Sequence, residues 1–112
     1  MLNYALLTFA VAAAGGLILA SSVLRNKLAP CVLSVVHALL GATGLILLVV
    51  ILLQGSAPMQ VLVSFVLLLV TALGGFFLAS FHLRKQLPPK GVVAIHAGLA
   101  VTGFVILLSL VL

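Results

Sequence analysis

The sequence predicts an all-α integral membrane protein, a four-helix up-down bundle built from two parallel helical-hairpin repeats. Three observations predict it. Hydrophobic residues fill 66% of the 112 positions, mean hydropathy is +1.59 and only five side chains carry full charge, a balance no small water-soluble domain could present on its surface. Four long apolar runs alternate with short turns, and each run is near the ~20 residues that one crossing needs. Finally, His37-Ala38-Leu39-Leu40-Gly41-Ala42-Thr43-Gly44 returns 59 positions later as His96-Ala97-Gly98-Leu99-Ala100-Val101-Thr102-Gly103.

The first run, approximately residues 2–24, is uncharged and closes on Arg25-Asn26-Lys27. No basic residue precedes it, so it is expected to be a retained helix and not a cleaved leader. Pro30 falls near the first turn of the second helix, approximately 32–53, where its missing N–H costs least. Gln54-Gly55-Ser56-Ala57-Pro58 is a short uncharged turn that makes the second and third helices antiparallel neighbours. The third helix covers approximately 60–83 with His82 in its last turn. Arg84-Lys85-Gln86-Leu87-Pro88-Pro89-Lys90 then leads into the fourth, approximately 92–112. These helices form one transmembrane domain, 1–112.

One gapless register aligns Gly15-Gly16 with Gly74-Gly75, Arg25 with Arg84, Pro30 with Pro89, His37 with His96 and Thr43-Gly44 with Thr102-Gly103. Shared Leu positions could reflect composition, but rare residues in one register imply a duplicated hairpin, repeat 1 approximately 1–53 and repeat 2 approximately 60–112. Each hairpin crosses twice, so the copies enter the membrane in the same direction. Every Lys and Arg lies in the two turns within the hairpins. Those turns are expected to face the cytoplasm, with both termini on the other side of what is expected to be a bacterial inner membrane.

Composition also excludes. With no Asp or Glu, the chain lacks the intramembrane carboxylate of proton-coupled antiport and the oxygen ligands of a calcium or magnesium site. A lone Cys31 allows neither an intrachain disulfide nor a thiolate cluster, and reads as an interfacial filler. Five cations beside a membrane make no nucleic-acid surface.

The two histidines carry the functional reading. Both lie about 9 Å along their helices from the basic boundary, at 1.5 Å per residue. Their helices are diagonal partners in an up-down bundle, roughly 11–14 Å apart. That separation predicts imidazoles too distant to touch and suited to one porphyrin iron between them. Gly41 and Gly44 above His37, and Ala100 and Gly103 above His96, leave a strip on each ligand face nearly free of side chains. Gly15-Gly16 and Gly74-Gly75 are expected near the level of Gly44 and Gly103. Arg25 and Arg84, with Lys27, Lys85 and Lys90, lie on the side nearest the histidines and would pair with the propionates of haem b. Thr43 and Thr102 are expected to bond carbonyls of their own helices. His82, matched by Val23 in repeat 1, reads as an interfacial residue. A secondary contact to a propionate or quinone headgroup is its functional alternative, shared with Lys85 and Lys90. For the histidine pair the alternatives are imidazoles bonded to backbone, or a quinone or substrate contact.

These features resemble the four-helix haem-binding core of membrane b-type cytochromes, the cytochrome b561 group among them. The resemblance rests on His37 and His96 at equal depth on non-adjacent helices, with small residues in the bundle centre. It implies a membrane cytochrome with one bis-histidine haem b, exchanging electrons with a quinol or a partner redox protein. Relatives with two haems carry a second histidine pair, and this chain has none. A non-catalytic structural or assembly subunit of a membrane complex is the rival expectation. A small transporter is another, since small multidrug exporters are similar in length and hydropathy but depend on a carboxylate with no counterpart here. A homodimer or larger membrane complex is compatible with either.

Overall fold

The computed structural model describes residues 1–112 as four antiparallel helices: α1 (Leu2–Leu24), α2 (Cys31–Leu53), α3 (Met59–Leu83) and α4 (Lys90–Leu108). Each is long and apolar enough to cross a bilayer, with mean hydropathy of 2.0 to 2.6. Only 16 of 112 residues are buried, so most large apolar side chains face outward, as lipid rather than water requires. The molecule measures 44 × 21 × 20 Å, the shape of four aligned rods each about 28–38 Å long. It is an all-α integral membrane bundle.

The ends of the helices follow from local chemistry. Pro30, Pro58 and Pro89 are the N-caps of α2, α3 and α4 with φ of −57°, −62° and −61°, so each helix starts one residue after its proline. At the far ends of α1 and α3 the two repeats use the same closing motif. The Lys27 amide donates to the Ser22 carbonyl and the Asn26 amide to Val23. In repeat 2, Gln86 donates to Phe81 and Lys85 to His82. The motif forces a left-handed residue in each copy, Asn26 at φ 59° and Lys85 at φ 55°. Asn tolerates that conformation, whereas Lys adopts it at a cost. Gly55, at φ 82°, opens the turn between the hairpins. Helix α4 stops at Leu108, short of the residue 112 expected from hydropathy. There the Ser109 hydroxyl donates to the Ile106 carbonyl and the chain turns.

Packing is closest within the hairpins, α1 on α2 and α3 on α4. Contacts of α2 with α3 and of α1 with α4 close the ring, and the backbones of neither diagonal pair approach closely. Because lipid gives helices no hydrophobic reason to associate, close approach at small residues must hold each hairpin. Gly44 receives the Phe9 ring: a Cβ there would stand 2.5 Å from Phe9 Cζ. Gly103 receives Leu68 in the same way, with Cγ 2.8 Å from such a Cβ. Phe9 and Leu68 are themselves 59 positions apart, so the knob and its hole were duplicated together.

Around these contacts Ala5, Leu6, Phe9, Leu48, Val61, Leu68 and Leu107 form one buried cluster contributed by all four helices. It occupies the half of the bundle nearer the chain termini. The half nearer Arg25 and Arg84 encloses a cleft, lined by small residues, histidines and a few larger apolar side chains such as Val23 and Val93.

Candidate functional site

The cleft has a volume of about 170 Å³ and draws on every helix. Helix α1 supplies Ala13, Gly16 and Ala20, and α3 supplies Gly75, Ala79 and His82. Ser34 and His37 enter from α2, and His96, Ala97 and Ala100 from α4. The α1 and α3 positions obey the duplication: Gly16 matches Gly75 and Ala20 matches Ala79. Small residues at helical spacing leave the space, and histidines from the other diagonal project into it.

His37 and His96 meet with ring centroids 6.3 Å apart and planes at 72°. The expectation that the imidazoles are too far apart to touch is therefore wrong. It was drawn between helix axes, and each side chain extends inward from its axis and shortens the gap from both sides. Each ring lies against the glycine pair of its own hairpin. A Cβ on Gly16 would stand 2.9 Å from His37 Cε1, and one on Gly75 would stand 3.1 Å from His96 Cε1. A methyl at Gly16 would force the His37 ring to shift, and one at Gly75 would press the His96 ring by a few tenths of an ångström. The level of both glycines is that of the histidines, not that of Gly44 and Gly103 as axial counting suggested.

Hydrogen bonding settles the state of one ring. His37 Nδ1 donates to the Ala12 carbonyl at 2.8 Å. A carbonyl only accepts, so the proton is on Nδ1 and the Nε2 lone pair is left free. His96 Nδ1 is buried without a hydrogen-bond partner. The duplicated counterpart of Ala12 is Thr71, whose hydroxyl bonds the Leu67 carbonyl one turn back. The repeats thus differ in that only the His37 imidazole is anchored by a hydrogen bond.

Several residues singled out from sequence lie elsewhere. Ala100 lines the cleft, but Gly41 does not, and a Cβ on Gly41 would meet nothing within 4 Å. Gly44 and Gly103 are filled by Phe9 and Leu68, so their missing side chains serve helix packing and not the cleft. Arg25 folds back on α1, its Nε donating to the Ser21 carbonyl at 3.2 Å. Arg84 does the same on α3: Nε donates to the Ser80 carbonyl, Nη2 to Ser80 Oγ, and Cζ sits 4.5 Å over the Phe81 ring. Neither arginine lines the cleft, and neither do Lys85 and Lys90. Thr43 and Thr102 donate to the carbonyls of Leu39 and Gly98, as expected for hydroxyls on exposed helix faces.

Sequence reasoning missed Ala13, Ala20, Ser34, Ala79 and Ala97. The available signal was the Ala13, Gly16, Ala20 spacing of three and four, which places three small residues on one face of α1.

His37 and His96 are the side chains in the cleft that could hold a metal between them. An imidazole nitrogen lies about 1.1 Å from its ring centroid, so two metal–nitrogen bonds of about 2.0 Å put the centroids roughly 6 Å apart. The interplanar angle does not oppose this, because axial imidazoles turn freely about the metal–nitrogen bond. A carbonyl on Nδ1 is also the partner that orients a ligating histidine. The volume is below the roughly 300 Å³ at which pockets for drug-sized ligands begin. A flat macrocycle would therefore need the helices around the cleft to move apart.

No protein-family model, curated protein or solved structure matches the chain.

Proposed function

We propose that the chain is a membrane b-type cytochrome, with His37 and His96 as the axial ligands of one haem b. The observation that carries this reading is the imidazole pair from diagonal helices, 6.3 Å apart, with the His37 proton held on Nδ1 by Ala12. In this reading Gly16 and Gly75 keep the ligand rings in place, and Ala13, Ala20, Ala79, Ala97 and Ala100 border the macrocycle. The bound haem supplies a one-electron redox centre, and ligation by two histidines suits electron transfer over oxygen binding. The apolar surroundings exclude water and lower the local dielectric, which tunes the potential. Electron exchange with a quinol or a redox protein would take place at the basic end, where the cleft lies. We place that end on the cytoplasmic side of a bacterial inner membrane, from the clustering there of all Lys and Arg, Lys90 as the first residue of α4 and the rest between helices.

The rival is a non-catalytic structural subunit, favoured by the use of Gly44 and Gly103 for helix packing. Absorption spectroscopy of protein purified from haem-replete cells separates the two. A six-coordinate reduced α band near about 560 nm, lost in both His37→Leu and His96→Leu, is the expected result. No band, or a band that survives either substitution unchanged, refutes the haem reading and leaves the structural one.

A further inference from the structure

The basic end of the bundle carries charge that nothing in the chain answers. Arg25, Lys27, Arg84, Lys85 and Lys90 are all exposed there, and the sequence holds no side-chain carboxylate to neutralise them. The turn between the hairpins, at the opposite end, has no charged side chain. Each basic turn is also bracketed by exposed leucines, Leu24 and Leu28 in repeat 1 and Leu83 and Leu87 in repeat 2. A partner that matches both features joins a negative group to hydrocarbon. An anionic phospholipid of the adjoining leaflet does so, whereas a free phosphate or a soluble acidic protein answers the charge alone.

The two copies are not equally equipped. Arg25 has one support, the bond from Nε to the Ser21 carbonyl. Arg84 has the equivalent bond to Ser80, a second from Nη2 to Ser80 Oγ, and the Phe81 ring 4.5 Å from Cζ, with Phe77 edge-on to that ring at 5.2 Å. The counterparts of Phe77 and Phe81 are Ile18 and Ser22, so the aromatic support exists in repeat 2 alone. A guanidinium already held in place loses less freedom on binding. Lys85 occupies the left-handed position that repeat 1 gives to Asn26, and at φ 55° it does so against its backbone preference. Lys90 stands where repeat 1 has Cys31, which brings a third cation to this turn. We propose that the turn between α3 and α4 binds one anionic phospholipid, its phosphodiester held by Arg84, Lys85 and Lys90 and its acyl chains lying along Leu83 and Leu87. The site is on the outer surface and is independent of what occupies the cleft.

The test is native mass spectrometry of the full-length protein in neutral detergent, titrated with phosphatidylglycerol and with phosphatidylcholine of the same acyl chains. The first phosphatidylglycerol should bind at least about tenfold more tightly than phosphatidylcholine, the effect expected of several cations beside one phosphate. Lys85→Gly should weaken phosphatidylglycerol roughly fivefold and leave phosphatidylcholine unchanged, while the melting midpoint without lipid rises as the backbone strain is relieved. Those opposite signs separate a lost contact from a folding defect. Phe81→Leu, which keeps every charge, should weaken phosphatidylglycerol about two- to fivefold by freeing Arg84. Lys27→Gln, in the other turn, should change it less than about twofold. Equal binding of the two lipids overturns the proposal and leaves the patch to an acidic protein. Equal losses on Lys27→Gln and Lys85→Gly overturn it in favour of diffuse charge, and displacement of the lipid by soluble glycerophosphoglycerol overturns it in favour of a free phosphate ester.

Discussion

Replacing Gly44 with alanine tests whether the hairpins are held by the fit of Phe9 into α2. The new Cβ would lie 2.5, 2.6 and 2.9 Å from three atoms of the Phe9 ring, against the roughly 3.5–4.0 Å at which carbons rest. The overlap is about 1 Å at several atoms at once, and Phe9 is buried in the common cluster, so the ring has nowhere to turn. Overpacking of this kind costs about 1–3 kcal/mol. For a chain of this length that is a fall of roughly 5–20 °C in the unfolding midpoint, measured by circular dichroism in detergent. Gly41→Ala on the same helix meets nothing within 4 Å and should change stability by less than about 0.5 kcal/mol, or raise it through alanine's better helix propensity. A double-mutant cycle makes the argument specific. On a Phe9→Ala background the same Gly44→Ala change should cost almost nothing, giving a coupling of about 1–3 kcal/mol. Equal effects of Gly44→Ala and Gly41→Ala, or an undiminished cost on the Phe9→Ala background, would refute the reasoning.

Other expectations come from single positions. Ser64 is fully buried and its hydroxyl has no partner, whereas repeat 1 has Ala5 at the same place. Ser64→Ala should therefore stabilise the protein by about 1 kcal/mol, read in the same melting experiment. Lys85 is held at positive φ, so Lys85→Gly should add about 0.5–1 kcal/mol, while Asn26→Gly at the equivalent site should add less; a loss on Lys85→Gly would contradict the closing motif described for α3. In the proposed haem site, Gly16→Ala drives a methyl to within 2.9 Å of the His37 ring and should lower haem affinity at least tenfold in a spectroscopic titration. Gly41→Ala, which borders nothing, should leave that affinity unchanged.

The fold was legible because membrane spans announce themselves by length and by the near absence of charge. The duplication was legible because rare residues recur in register. The site was harder to read because a glycine looks the same whether a ligand, a neighbouring ring or nothing fills its space. Gly16, Gly44 and Gly41 are one example of each, and only the facing helix tells them apart. The placement of the arginines was hidden for a related reason: a long side chain near a helix end takes the nearest partner, and for Arg84 that partner is Ser80 and Phe81 on its own helix. The ring separation failed because axis spacing was used where side-chain reach decides.

The filled half of the bundle has an electrical consequence. Leu48, Val61 and Leu107, each almost wholly inaccessible, form a dielectric barrier between the cleft and the end that carries the chain termini. The way from the cleft to the compartment at the chain termini thus runs through packed hydrocarbon, which an ion or a hydrated proton crosses only at high cost.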